Sequence, residues 1–303
     1  MRRALRSPGR SVRDEEPDRQ ARCGAAGGPA AQAARSTRFT LGGAMKRRTL
    51  LAASLALPFA APCVVRAQQW PTRPIRLIVP YAPGATGDIA GRLYGEELGK
   101  SLGQSVVVDN KTGAGGTIAM AELARAPADG HTLGVVAQGL LVYNLGLYKS
   151  PGYDPFKDLV LLSVNFSVAN VLILHPSNPA KTVADVIEQA RAKNGEFTFS
   201  SGGIGTSHHM SGVLLELRSG VKMTHVPYRA TPAGIQAVVN GEVAMGMFNM
   251  PTVVSLIRAG KLKAIAVTSE RRQELFPELP TMIESGVKDF VVDTWLGFGA
   301  PIG

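Results

Sequence analysis

From Ile75 onward the chain repeats one local pattern: a short apolar run, a loop rich in glycine and hydroxyl residues, then a segment whose apolar side chains recur every three or four positions. The short runs fit buried strands and the three-to-four spacing fits helices with one apolar face. Such alternation restricts the fold to a parallel sheet with helices on both faces. The first repeat is the strand Ile75-Arg76-Leu77-Ile78-Val79, the loop Pro80-Tyr81-Ala82-Pro83-Gly84-Ala85-Thr86-Gly87-Asp88, and a helix carrying Ile89, Leu93, Tyr94, Leu98 and Leu102. Strands at 104–108 and 132–136 follow, with a helix through Ala119, Leu123 and Ala124 between them. A strand over 159–164 and an extended run over 168–175, closed by Pro176, lead to a second set. That set comprises helix 183–191, strand 197–199, helix 207–217, strand 224–226, helix 232–239, strand 243–247, helix 253–259 and strand 263–267. The run 290–292, before Trp295, reads as an extended return. The expectation is an α/β fold with two lobes, 68–169 plus 291–303 and 170–290, joined by two extended crossovers.

Charge divides the 303 residues unevenly. Positions 1–67 hold 13 Lys and Arg against 4 Asp and Glu, whereas positions 68–303 hold 20 against 19. The basic character thus belongs to the leader, and the nearly neutral body has no cationic surplus with which to neutralise phosphates, which argues against nucleic acid as a partner. Residues 1–44 have no helical or strand periodicity and read as a disordered or mis-assigned extension. Met45 opens an export-signal pattern: Lys46-Arg47-Arg48, an apolar run over 50–61, and Val65-Arg66-Ala67 before Gln68. The apolar run is shorter than the roughly 20 residues a membrane span needs. Arg47-Arg48 also suits twin-arginine export. Cys23 and Cys63 both lie upstream of the cleavage pattern, so the body after it has neither disulfide nor thiol chemistry. Pro62 stands where a lipoprotein signal wants a small residue before Cys63.

Two loops concentrate the chemistry. The first, at 80–88, leaves a strand and enters a helix whose first N–H groups have no intrahelical acceptor and carry partial positive charge. Alternatively, Thr86 or Asp88 caps that helix and nothing more. The second, Phe199-Ser200-Ser201-Gly202-Gly203-Ile204-Gly205-Thr206-Ser207-His208-His209, repeats the arrangement in the other lobe, ahead of a helix with Met210, Val213, Leu214 and Leu217 apolar. Two such loops facing each other across a cleft could hold a carboxylate, in keeping with the placement of ligands at strand ends in open α/β sheets. Enzyme patterns are missing. Ser207 is not in G-x-S-x-G, no Lys follows the glycines as in a P-loop, and Gly113-Ala114-Gly115-Gly116 lacks the dinucleotide spacing and reads as a packing turn. His208 and His209 are adjacent, so on a helix they diverge by about 100° and cannot chelate one metal together. His225, before Val226-Pro227-Tyr228, reads as a packed, hydrogen-bonded residue. No metal, cofactor or catalytic set is expected.

These stretches resemble the solute-binding components of tripartite tricarboxylate transporters, the Bug-type periplasmic receptors. The likeness rests on positions 80–92, Gly113-Ala114-Gly115-Gly116, Ala128-Asp129-Gly130-His131-Thr132-Leu133, Asn144 with Tyr148, and positions 201–208. It continues through His225-Val226-Pro227-Tyr228-Arg229, Ala259-Gly260-Lys261-Leu262, Ala266-Val267-Thr268, Leu279-Pro280-Thr281 with Glu284-Ser285-Gly286, and Trp295 with Ala300-Pro301. The resemblance implies a type II periplasmic-binding-protein fold and a non-enzymatic, periplasmic, monomeric receptor. Its ligands would be di- and tricarboxylates, acidic amino acids or aromatic acids, delivered to a membrane permease. An alternative output is signalling through a sensor-kinase ectodomain; a further alternative is a periplasmic α/β enzyme, for which the nucleophile–base pair or complete phosphate fingerprint is missing from the sequence. Carried over, the ligand residues are Tyr81, Ala85, Thr86, Gly87 and Asp88 on one side and Ser200, Ser201, Gly203, Gly205, Thr206 and Ser207 on the other. Gln138, Tyr228 and Asn249 would meet the ligand's distal end. Closure would hinge at 168–171 and 290–293.

Three departures follow from the same comparison. The family has Gly-Gly where this chain has Gly84-Ala85, and Thr or Ser at Gly87; a positive φ at Ala85 would strain it. Arg229-Ala230 replaces Lys-Gly. Finally, the family continues beyond the position of Gly303 with helices that complete the first lobe, so apolar sheet surface is expected to stand uncovered.

Overall fold

The computed structural model describes residues 70–303; the extension, the export signal and both cysteines lie outside the described residues. The strands are β1 (Ile75–Val79), β2 (Val106–Asn110), β3 (Thr132–Ala137), β4 (Leu159–Leu174), β5 (Thr198–Ser201), β6 (Thr224–Pro227), β7 (Met245–Asn249), β8 (Lys263–Val267) and β9 (Asp293–Pro301). The helices are α1 (Thr86–Leu102), α2 (Thr117–Ala124), α3 (Asn144–Leu147), α4 (Val183–Lys193), α5 (Ser207–Ser219), α6 (Thr231–Val239) and α7 (Met250–Arg258). The strands run in the order β2-β1-β3-β9-β4-β7-β5-β6, with β8 also on β4. Pairing is parallel among β1, β2 and β3 and among β5, β6 and β7. It is antiparallel wherever β4 or β9 takes part. The expected parallel sheet is therefore two parallel sets bridged by two long antiparallel strands.

Sequence reading divided β4 into two pieces; the structure makes it one strand of 16 residues. Continuity comes from its partners. Leu159 to Ala169 pair with β9, Asn170 to Leu174 pair with β7 on one edge, and Val171 to Leu174 pair with β8 on the other. The second part is buried throughout, with Val171 and Ile173 packed into one core cluster and Leu172 and Leu174 into another, as strand alternation requires when both faces are covered. A third cluster, around Leu77, Val79, Leu123, Val135, Leu140 and Leu296, fills the other set of strands. The expected return strand at 290–292 begins later, at Asp293. Val292 instead donates to Thr268 O and accepts from Thr268 Oγ1, which ties it to the end of β8 before the ladder with Ala169 starts.

Two helices present a different face from the one their large apolar residues suggested. In α1, Ile89 and Leu93 face solvent while Ala90, Gly91 and Gly95 lie on the sheet. In α5, Val213 and Leu217 are exposed and Ser211, Gly212 and Leu215 are inside. Small residues let these backbones approach the strands: a β-carbon on Gly212 would stand 2.2 Å from Phe199 Cε2. Apolar surface is exposed on the first part of β4, at Val160, Leu161, Leu162 and Val164.

Candidate ligand-binding site

Helix α1 begins without a side-chain cap. Its N-cap is Ala85, at φ −75° and ψ 159°, and the left-handed position in this turn belongs to Gly84, at φ 81°. Alanine therefore costs the loop nothing at 85. Asp88 reaches back to accept from Gly84 N (2.9 Å) and also accepts from Arg92 and from Asn110 Nδ2 (2.9 Å). Burial pushes its carboxyl up, but the hydrogen bonds from Arg92, Gly84 and Asn110, with the Arg92 charge, outweigh this and hold it below the ordinary value. No acceptor among the described residues takes the N–H of Thr86 or Gly87.

Helix α5 does have a cap. Thr206 Oγ1 accepts from His209 N (3.3 Å) and donates to Gly203 O (2.7 Å). That cap leaves Ser207 N and His208 N without acceptors among the described residues. Thr86, Gly87, Ser207 and His208 all line the same narrow cavity of about 40 Å³. Ala85, Gly205, Thr206, Tyr81, Gln138, Asn249, Thr231 and Thr294 share that lining, and no Lys, Arg, Asp or Glu does. Four residues at two helix starts, each with a main-chain N–H that has no acceptor among the described residues, thus line one cavity that has no charged side chain in its lining.

Asn249 ties the walls together. Its Oδ1 accepts from Thr86 Oγ1 (3.1 Å) and from His208 Nε2 (3.2 Å). Its Nδ2 donates to Asn170 Oδ1 (2.6 Å) and Thr294 Oγ1 (3.1 Å). His208 Nδ1 accepts from Gly202 N (3.4 Å), which leaves the proton on Nε2. Burial lowers the His208 pKa to about 4, so this imidazole is neutral near pH 7. Around the second loop, Ser201 Oγ lies 2.7 Å from His225 Nε2 and accepts from Gly203 N (3.1 Å). His225 stacks on Phe199 and on His209, at centroid distances of 4.8 and 4.3 Å. Burial, followed by the neighbouring His209, brings the His225 pKa down to about 4. With a buried hydroxyl that also bonds to Gly203, the Ser201–His225 pair braces the loop.

The expected residues separate into three groups. Tyr81, Ala85, Thr86, Gly87, Gln138, Gly205, Thr206, Ser207 and Asn249 line the narrow cavity. Gly203 and Tyr228 line a wider one of about 410 Å³ beside it, which shares Tyr81, Gly115, Thr206 and Thr231 with the first and has Arg229 as its one charged residue. Asp88, Ser200 and Ser201 line neither: the Asp88 carboxylate is taken up inside its own turn, Ser200 Oγ donates to Gly234 O (2.9 Å), and Ser201 serves His225. Sequence reading missed His208, Thr231, Thr294, Gly115 and Gly139 as lining residues. Thr231 had a usable signal, since it opens a third helix after a strand; α6 was expected one residue too late.

An α/β sheet whose two parallel sets are bridged by antiparallel crossings, with helix starts emptying into one interior cavity, is the construction of a solute-binding protein. Residues 90–303 match the tripartite tricarboxylate transporter family receptor, and the chain belongs to that family. It is 37% identical over 245 residues to protein BugT of Bordetella pertussis, across 80% of this chain and 74% of that one. Among solved structures, an R. palustris protein with adipate aligns at a TM-score of 0.73 and 35% identity, covering 77% of this chain and 78% of the other. MatC from Rhodopseudomonas palustris, with bound malate, aligns at 0.74 and 31%, covering 77% and 80%.

Proposed function

We propose that this protein is a periplasmic receptor that captures a small organic carboxylate between two lobes, 68–169 with 291–303 and 170–290, and delivers it as a monomer to a membrane permease. Export would use the leader that begins at Met45. The observation that carries this reading is that Thr86 and Gly87 on one wall and Ser207 and His208 on the facing wall line one cavity, and that none of their four N–H groups has an acceptor among the described residues. Main-chain donors at helix starts recognise an anion without cationic side chains. Adipate and malate in two related structures support an acid of this kind. Asp88, Ser200 and Ser201 act in this reading by shaping the loops, Asn249 by tying the walls together, and Gln138, held by Tyr143 and Trp295 within its own wall, by facing the ligand's distal end. Hinge motion would be taken up at 168–171 and 290–293, where the two crossings pair side by side at Ala169 and Asp293.

The test is a thermal-shift panel of adipate, malate, citrate, glutamate and benzoate. An acid present at 100 times its Kd adds about 2.7 kcal/mol. For a body of this size that raises the melting temperature by about 5–10 °C. No shift with any of the five overturns the reading. Capture of permease subunits from membrane extract in the presence of the acid, against capture of a kinase ectodomain, separates the two outputs.

A further inference from the structure

Near the cavity, the two sides of the cleft meet main chain to main chain. A β-carbon on Gly139, which follows β3, would stand 2.5 Å from Gly205 O across the cleft. One on Gly115 would stand 2.7 Å from Ile204 O, and one on Gly205 would stand 2.4 Å from Asn144 Oδ1. Real β-carbons essentially never approach within 3.0 Å of another heavy atom. All three glycines line the narrow cavity. Asn144 is fully buried, and its Nδ2 donates to Gly115 O (3.1 Å). Its Oδ1 has no hydrogen-bond partner among the described residues, because the one proton of neighbouring Tyr153 goes to Leu140 O. An acceptor stranded in this way is costly, and because Gly205 faces it across the cleft, parting the two sides would open it to water.

We propose that Gly115, Gly139 and Gly205 form a closure seam whose missing β-carbons set how far the cleft shuts, while the stranded Asn144 carbonyl leaves the shut form only marginally favoured without an acid inside, so that it reopens readily. The inference rests on the receptor reading above. A ligand's acid group is enclosed only when the seam is in contact, so seam geometry governs how long a bound acid is retained.

Gly139 is the place to test this. Its φ lies outside the left-handed region, and on its own side a β-carbon would meet only Tyr143 Cδ2, at an ordinary 3.9 Å. Gly139→Ala therefore suits the open form and collides only in the closed one. Gly146→Ala, with nothing within 4 Å of the added carbon, is the control. Binding is followed by stopped flow with the tightest of the five panel acids, and shape by small-angle scattering with and without that acid. The expected result for Gly139→Ala is an unchanged association rate, dissociation at least ten-fold faster, and loss of the ligand-induced contraction, with Gly146→Ala like wild type. Dissociation within two-fold of wild type with normal contraction overturns the seam. A slowed association rate with unchanged dissociation also overturns it, whatever the variant's stability. If wild type binds none of the five acids, the receptor reading falls and takes the seam with it.

Discussion

Asn249→Ala tests whether the cavity walls are held by one shared side chain. The substitution removes an acceptor from Thr86 Oγ1 and His208 Nε2 and a donor from Asn170 Oδ1 and Thr294 Oγ1. The four losses are unequal. The Thr86 hydroxyl can turn toward cavity water, Thr294 keeps its own proton to give, and Asn170 Oδ1 retains Ser207 Oγ at 3.4 Å. His208, 4% exposed, has no other acceptor for its Nε2 proton among the described residues, so it bears most of the penalty. A stranded buried donor costs about 1–3 kcal/mol and each lost bond about 1 kcal/mol, so a destabilisation of about 3 kcal/mol is expected. Thr86→Val alone should cost about 1 kcal/mol, and the double variant little more than Asn249→Ala, because both singles break the same bond. Urea unfolding of the three variants without ligand measures the coupling, expected at about 1 kcal/mol. Since Thr86 and Asn249 stand on opposite sides of the cleft, that coupling also shows that the sides touch before any acid binds. Additivity within about 0.3 kcal/mol would refute the bridge.

A β-carbon at residue 87 would stand 2.2 Å from Tyr81 Cδ2, so Gly87→Ser must displace the ring that lines both cavities. Urea unfolding should show a loss of about 1–3 kcal/mol, largely relieved when Tyr81→Ala is added. Asp88→Asn should cost about 1–2 kcal/mol in the same assay yet leave acid affinity within about three-fold, because its carboxylate serves Gly84, Arg92 and Asn110 rather than the cavity. The His208 pKa of about 4 lies below the ordinary 6.5, so the unfolded chain takes up that proton first. Its contribution is whole above about pH 6.5 and is lost as the pH falls to 4, by on the order of 3 kcal/mol. Melting curves from pH 7 to 4.5 should fall less steeply for His208→Gln than for wild type; parallel curves would count against a neutral buried imidazole.

Much of the architecture was legible because strands and helices of opposite period alternate without interruption from Ile75 to Val267. Both helix-start loops could be found for the same reason: glycine and hydroxyl residues stand where an apolar run ends and a three-to-four spacing begins. Helix orientation was not legible. Periodicity weights Ile89, Leu93, Val213 and Leu217 as the inward face, whereas the sheet selects the stripe whose small side chains let the backbone come close. The site residues expected on the second loop divided at the end of the strand. Ser200 and Ser201 belong to β5 itself and are engaged within their own wall, while Thr206 and Ser207 lie beyond the turn and face the cavity. His208 was weighed as a metal ligand because its type suggests one. Its actual partner, Asn249, lies 41 residues away, and spacing along the chain carries no trace of that pairing.

A site without formal charge places a condition on how it can work. A lysine or arginine would attract an acid from either side alone. The N–H groups of Thr86 and Gly87 offer only the partial charge of one helix end, worth about 0.3–1 kcal/mol at an exposed surface. The same holds for Ser207 and His208 on the facing wall. Each pair is weak in water and becomes effective only when the other pair arrives and solvent leaves, since the same partial charges interact far more strongly in a low-dielectric interior. Recognition and closure are then one event. An acid bound to either side alone is held weakly and escapes quickly, whereas one bridging both is enclosed by walls that Asn249, Thr86 and the backbone of Gly205 already bring within hydrogen-bonding or van der Waals reach. Release requires only that the walls part, with no strong ion pair to break, and that is compatible with the proposed delivery of the ligand.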